Sequence, residues 1–537
     1  MSTVYQLDKR SGITYAYESI SKWDSEKKQS RSKRTLIGRV DKATGEIIPT
    51  DGRMKKEKPL RPAVHRPTKN KVKPAIKRLY YGATYMLDEI GDKLGLTEDL
   101  QRCFPDTYKQ IQSLAYYLIL EDRNPLYRFE KWGITHRHPY GKEITSQQSS
   151  DIFMGISEEG VQAFFKLQGK RRAEHEYWAY DITSISSYSE TLKQVRYGYN
   201  KEDDRLPQIN LALVFGENSK LPFYYRKLAG NIPDVKTVKT LLADLETMGL
   251  NKVKLVMDRG FYSTANINGL FKERMKFIIS VRTSLLLVRK ELDKVYDDLV
   301  TFENYDENHQ LYAMTVPGEW DYVQERPYKG DTLREKRRVY IHLYYNIDRA
   351  TEDQKNFDRK LLALRNELIT GERKSEHEKL YEKYFIITST PVRGIKVQVN
   401  NDAVKKAKKY YGFFALMSNE KMDSAAALKL YRNKDLVEKA FGNLKERLNM
   451  RRTLVSSEQS LDGKLFVEFI ALIYLSYLSK QMQDTGLYKD YTMTSLLDKL
   501  DVIECFLSPK RKLRVGEILQ KQLDIFNCLD IIPPPSL

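Results

Sequence analysis

Cysteine is nearly missing from this chain of 537 residues. The three that occur, Cys103, Cys505 and Cys528, are far apart and form no CxxC. A disulfide framework and a cysteine zinc site are thereby excluded, and the usage suits a reducing compartment. Histidine is also sparse. Of seven, only His136 and His138 stand close together, a pair expected in a solvated loop rather than on a metal. Long apolar runs are lacking too. The most apolar window, LFVEFIALIYLSYL from Leu465 to Leu478, spans 14 residues and contains Glu468. It is too short for a bilayer and suits a buried helix. At the amino end MSTVYQLDKR leads into charge, so no secretory signal is expected. A membrane partner is excluded on these grounds, and a cytoplasmic protein is expected. No internal repeat is present.

What the chain has in excess is positive charge. Lys plus Arg number 91 against 72 Asp plus Glu, a formal charge of +19 and a pI near 9.3. Such a surplus favours a polyanion, nucleic acid first. With 41% hydrophobic and 30% charged residues the chain is globular, and its length suggests roughly three or four domains. The surplus is concentrated in residues 22–75, where 17 Lys or Arg face 6 Asp or Glu, a balance of +11.

Composition and periodicity divide the chain into segments. Residues 1–75 read as a small β element, with strand-like TYAYES and TLIGRV and a turn-like DKATGE, followed by an extended basic linker that lies along DNA phosphates or, as the alternative, is a flexible tail. Residues 76–172 have apolar spacings of three and four, as in YMLDEIGDKLGL, and read as a helical region, either a DNA-binding module or only a helical lead-in. Over 173–284 the order is three strands, helix, strand, helix, strand, which predicts an α/β mixed sheet covered by helices. Residues 285–418 interrupt it. Four strand-like pieces there, LYAMTVPG, VYIHLYYN, KYFIITST and YYGFFALMSN, surround a charged helical arm near 353–384. Residues 419–485 resume the α/β unit, with a long helix expected from Ser424 to Asn449 and a core helix from Gly463 to Met482. Residues 486–537 form a helical C-terminal region.

Two aspartates are out of place. Asp181 ends the strand EYWAYD and Asp258 ends KVKLVMD, although aspartate is disfavoured in strands. Each alone reads as a turn or capping residue. If the strands are neighbours, the two carboxylates meet at one edge and offer hard oxygen ligands for Mg²⁺ or Mn²⁺. A third carboxylate can come from the helix YRNKDLVEKAFGNLKERL. There Tyr431, Lys434, Glu438 and Lys445 fall within roughly 40° of one face. Val437, Phe441, Leu444 and Leu448 make an adjoining stripe able to seat it on the sheet. An ordinary amphipathic helix with charge pairs is the competing reading.

These residues resemble the DDE transposases of bacterial insertion sequences. Asp181 in YDITS, Asp258 in MDRGFYS and the helix Tyr431-x2-Lys434-x3-Glu438-x6-Lys445 carry the likeness, which covers about residues 173–485. The helix is similar to the Tyr-x2-Arg-x3-Glu-x6-Lys helix of the insertion-sequence-four type, with Lys434 in place of the usual Arg. A lysine keeps the charge but loses bidentate phosphate grip.

The resemblance implies a ribonuclease H-like fold with a mostly β insertion between its last core strand and the acidic helix. It implies that Asp181, Asp258 and Glu438 are catalytic and hold two Mg²⁺ or Mn²⁺ ions. Tyr431, Lys434 and Lys445 would contact DNA phosphates, as would Arg259, for which a structural ion pair is the equal alternative. Trp320, the one tryptophan of the insertion, is expected in the core, with base stacking as the alternative.

The implied activity is cut-and-paste transposition in the bacterial cytoplasm, on the nucleoid. It comprises cleavage at the terminal inverted repeats of double-stranded DNA, then strand transfer to target DNA, by a homodimer in a paired-end complex. Two alternatives are a structure-specific nuclease on the same fold and a non-enzymatic DNA-binding protein derived from a transposase. Retention of all three acidic residues speaks against the latter.

Overall fold

The structure, a computed structural model, describes residues 2–24, 29–50, 76–122, 124–172, 176–201, 205–250, 253–326, 330–390, 394–448, 452–453, 455, 457–508 and 512–536. The basic linker expected up to residue 75 therefore lies largely outside the described residues. The chain divides into two units, Met1–Lys73 and Pro74–Leu537.

The first unit is an antiparallel sheet of β1 (Ser2–Leu7), β2 (Thr14–Asp24), β3 (Gln29–Val40) and β4 (Ile47–Pro49), paired in that order. TYAYES and TLIGRV fall in β2 and β3. Its turns are fastened by aspartates: Asp8 accepts from the Arg10 amide and the Ser11 hydroxyl, and Asp41 accepts from the Ala43 amide. Gly12 and Gly45 supply the positive φ these turns need.

The second unit opens with β5 (Lys77–Tyr80) and six helices: α1 (Gly82–Lys93), α2 (Leu96–Cys103), α3 (Tyr108–Leu120), α4 (Phe129–Thr135), α5 (Ser146–Gly155) and α6 (Glu158–Arg172). His136 and His138 lie beyond α4 and, against expectation, both are buried. His136 stacks on Trp132 and bonds Asp501, while His138 bonds the Ser113 hydroxyl. Phe129 and Trp132 of the adjacent α4 pack on them, and the polar partners Asp501 and Ser113 come from distant elements, which local sequence does not reveal.

The central sheet follows: β6 (Tyr177–Ser187), β7 (Gln208–Gly216), β8 (Pro222–Ala229), α7 (Asp234–Thr247), β9 (Lys254–Met257), α8 (Thr264–Lys272) and β10 (Lys276–Val281). After them come α9 (Leu286–Lys294), α10 (Tyr296–Leu299), β11 (Tyr305–Asp306), β12 (Leu311–Arg326), β13 (Asp331–Tyr345), α11 (Ile347–Thr370), α12 (Glu378–Tyr384), β14 (Phe385–Thr390), β15 (Gly394–Val399), α13 (Asn401–Lys408) and β16 (Phe413–Ser418). The strand order is β11-β12-β13-β16-β10-β9-β6-β7-β8. β9 runs parallel to β6 and β10, whereas β7, β8, β12, β13 and β16 pair antiparallel with their neighbours. The parallel strands are apolar without alternation (Leu255–Val256–Met257, Phe277–Ile278–Ile279) because both faces are covered.

Residues 285–418, expected as a β-rich insertion, are in part continuous with the central sheet. β12, β13 and β16 extend the central sheet, and only the β14–β15 hairpin stands with the arm α11–α12, around its own cluster of Leu364, Leu368, Tyr381, Tyr384 and Phe385. The edge of β10 is open to hydrogen bonding, and β16 closes it, so the pieces are drawn into one sheet. Trp320, on β12, is buried, and its indole donates to Asn268 Oδ1 at 2.8 Å.

The expected long helix is also broken. It consists of α14 (Ser424–Arg432), a turn at Asn433–Lys434, α15 (Asp435–Gly442) and a π-helical stretch from Asn443 to Arg447. A short strand β17 (Arg452–Thr453) then leads to α16 (Glu458–Asp484). α16 is apolar all round and buried on most of its length, as expected of a core helix. The C-terminal region is not purely helical: α17 (Met493–Asp501) is followed by β18 (Glu504–Leu507), β19 (Arg514–Val515) and α18 (Gln520–Cys528). β18 pairs with both β19 and β5, so the chain end returns to the start of this unit. A four-residue strand near Cys505 has too few alternating positions to announce itself.

Candidate active site

Strand register brings the two aspartates together. β6 and β9 pair in parallel from Tyr177↔Lys254 to Tyr180↔Met257, so Asp181 and Asp258 follow side by side. Side chains alternate along a strand. Asp181 therefore shares a face with Tyr177, and Asp258 with Val256; both apolar residues belong to a small cluster with Ala427 and Leu428 of α14. That helix thus lies over the face on which both carboxylates stand.

The break after α14 positions the rest. Asp423 caps α14, accepting from the Ala426 amide at 2.7 Å. At its other end the Tyr431 hydroxyl donates to Asp258 Oδ1 at 2.8 Å. The turn then buries Lys434, which is 6% exposed, and α15 presents Glu438 one turn later. α15 is seated by Val437, Phe441, Leu444 and Leu448, all buried, which is the stripe its sequence pattern predicts. Burying a side chain of this size stabilises by about 1.5–3 kcal/mol.

Lys434 is the centre of the arrangement. Its Nζ is 3.7 Å from Asp181 Oδ2, 3.7 Å from Asp258 Oδ2 and 3.4 Å from Glu438 Oε1. The other oxygen of each aspartate is engaged by backbone: Asp181 Oδ1 accepts from the Ile182 amide (2.8 Å) and Asp258 Oδ1 from the Arg259 amide (2.7 Å). Burial raises the Asp181 carboxyl above its ordinary range, with Lys434 and then Lys201 opposing. Asp258 is also pushed up by burial, but Lys434 and the Tyr431 hydroxyl outweigh this and hold it below that range. Burial disfavours the Lys434 ammonium, yet the three carboxylates prevail and raise its pKa. Burial and the neighbouring Asp258 charge raise the Tyr431 phenol, so it stays a donor.

The other candidates stand around this group. Arg259 is exposed on the turn after β9, and Lys445 is half-buried on the π-helical stretch. Sequence reasoning missed Lys201, whose ammonium donates to the Ile182 carbonyl and pairs with Asp234 Oδ2 at 3.3 Å. It sits in the polar loop after β6, where nothing in the pattern singles it out.

Among the described residues, no three His, Cys, Asp or Glu side chains are close enough as placed to hold a metal ion. The donor chemistry nevertheless fits one. Three hard carboxylates converge on a single ammonium, so oxygen ligands surround a place already occupied by a cation.

The sheet and the converging carboxylates define a site suited to hard divalent cations and anionic substrates. Residues 175–474 match the transposase DDE domain, more than half of the chain, and the protein belongs to that family. No curated protein matches it. Among solved structures it is similar to the piggyBac transposase in a synaptic complex with hairpin DNA, determined by cryo-electron microscopy. The identity is 9% and the TM-score 0.35, over 77% of this chain and 75% of that one. No described helix is long and apolar enough to cross a membrane.

Proposed function

We propose that the protein is a cut-and-paste DNA transposase of the insertion-sequence-four type, working as a homodimer on paired transposon ends in the bacterial cytoplasm. The observation that carries this reading is the convergence of Asp181, Asp258 and Glu438 on Lys434, within the region that matches the transposase domain. The strand order β10-β9-β6-β7-β8, with β6, β9 and β10 parallel, supports a ribonuclease H-like core.

In this reading Asp181, Asp258 and Glu438 hold two Mg²⁺ or Mn²⁺ ions. Such ions, when bound, activate the attacking water or 3′-hydroxyl and stabilise the leaving oxygen of an in-line displacement. The chain's own residues position the reaction. Tyr431 and the Arg259 amide fix one oxygen of Asp258 and leave the other facing inward. Lys445 and the exposed Arg259 supply positive charge for the phosphates of the transposon end, which orients DNA without reading its sequence, whereas Lys434 is buried among the carboxylates and balances their charge.

The test is cleavage of a labelled DNA carrying the element's own end, with Mg²⁺ or Mn²⁺, by wild type and by Glu438→Gln. Wild type is expected to cut at the end, and the variant to bind without cutting; an added target DNA then captures joined product. Equal cutting by both proteins removes Glu438 from the site. Cutting without joining makes the protein a nuclease, and binding without cutting by either makes it a DNA-binding protein.

A further inference from the structure

The loop joining β6 to β7 carries two aromatic rings almost wholly in water: Tyr197 is 74% exposed and Tyr199 88%. Rings of this size usually bury their area, and on a loose loop their exposure would mean little. Between Leu192 and Lys201 this loop is fastened to the protein at several points. Leu192 and Val195 are buried beneath it. Arg196 and Gln208 exchange two backbone hydrogen bonds, of 2.9 and 3.0 Å.

Gly198, between the tyrosines, lies so close to the end of β8 that a Cβ there would collide with the Gly230 carbonyl oxygen. The backbone at 198 therefore backs onto the protein, and the rings on either side face outward. Beyond them the Tyr199 carbonyl accepts from Gln208 Nε2 at 3.0 Å, and Asn200 Nδ2 donates to Ser186 Oγ at 3.2 Å. Lys201 then ties the loop to the Ile182 carbonyl and to Asp234. Ile182 is the residue after Asp181, so the segment that bears the rings is tied, through Lys201, one residue from the carboxylate site.

We propose that Tyr197 and Tyr199 form a stacking platform for unpaired nucleobases of the DNA strand engaged at Asp181, Asp258 and Glu438. The proposal rests on the reading of the protein as a DNA transposase. A π-face accepts any base, so the platform holds single-stranded DNA without reading its sequence.

The experiment measures binding of the full-length protein to fluorescent oligothymidylate and to a duplex of arbitrary sequence. It compares wild type, the double variant Tyr197→Ala with Tyr199→Ala, and the corresponding double Phe variant. The Ala variant is expected to lose about 10- to 100-fold in affinity for oligothymidylate and to keep its duplex affinity; the Phe variant is expected to keep both. A Tyr199→Trp ring is expected to lose emission when oligothymidylate is added, which reports stacking directly. The platform is overturned if the Ala variant binds oligothymidylate as wild type does, if wild type binds only duplex, if Phe weakens binding as much as Ala, or if duplex binding falls in parallel. Wild type that binds neither probe overturns the transposase reading itself, and the platform with it.

Discussion

Lys434 makes the sharpest residue-scale prediction, because a buried ammonium among three carboxylates serves two purposes. It offsets part of their charge, and it stands among the carboxylates that would hold a metal. Lys434→Gln leaves the carboxylates facing one another. Losing one partner of a fully buried pair costs ~3–5 kcal/mol. With the Glu438 side chain 60% exposed, about 1–3 kcal/mol is expected here, read by denaturant unfolding without divalent ions. Mn²⁺ is expected to restore most of that loss, and to raise the variant's midpoint more than the wild type's. Equal gains in both proteins would show that the ammonium and the metal do not compete.

For catalysis, Asp181→Asn, Asp258→Asn and Glu438→Gln are each expected to lower end cleavage on the order of 10³-fold, measured in single-turnover reactions. The two aspartates were visible as carboxylates at the ends of apolar strands. The burial of Lys434 was not, since its three partners come from β6, the end of β9 and α15, which only the fold brings together.

At the scale of elements, α16 was legible as a buried helix from its unbroken apolar run. What that run does not reveal is the setting of Glu468, fully buried, with neither oxygen hydrogen-bonded among the described residues and Lys464 Nζ at 3.7 Å. Burial pushes its carboxyl from 4.5 up to about 7, against the partial opposition of Lys464. The unfolded chain releases this proton near pH 4.5, whereas the folded protein keeps it to about 7. Stability from this group is thus full below pH 4.5 and is lost as pH rises to 7, on the order of 3 kcal/mol in all. Glu468→Gln is expected to be more stable than wild type by about that amount at pH 8 and to differ little at pH 4. Urea midpoints at the two pH values decide this, and a constant difference would place the carboxyl's titration elsewhere.

The acidic helix was legible in part. Its apolar stripe was correct, but a 3.6-residue period runs through the turn at Asn433–Lys434 without a signal, because no Gly or Pro marks the break.

For the whole molecule, the charge asymmetry is the leading feature. Residues 1–73 carry 19 Lys or Arg against 8 Asp or Glu, a balance of +11 within the total of +19. If these cations lie on DNA, each phosphate neutralised contributes about 0.9 to the slope of log affinity against log salt. Removing residues 1–73 is expected to flatten that slope by several units in binding to an arbitrary duplex. An unchanged slope would mean that the contacts lie in the remainder of the chain. The composition changes near residue 75, and the chain divides into two units at Lys73 and Pro74. The return of β18 to β5, and the recruitment of β12, β13 and β16 into the central sheet, were not, because strand pairing between distant segments is decided by edges and register.

The sequence by itself determined the chemical kind of this protein: basic, almost free of cysteine, with two strand-end aspartates and a spaced helix bearing Glu438. Those properties are local, written in residue type and periodicity. The tertiary structure alone decided that β6 and β9 are neighbours, that the helix breaks at Lys434, and that this lysine is enclosed by the three carboxylates. It also decided that Tyr197 and Tyr199 stand on a fastened loop. The physical reason is that electrostatics and packing act through space, between groups that the chain separates by up to 257 positions, the distance from Asp181 to Glu438.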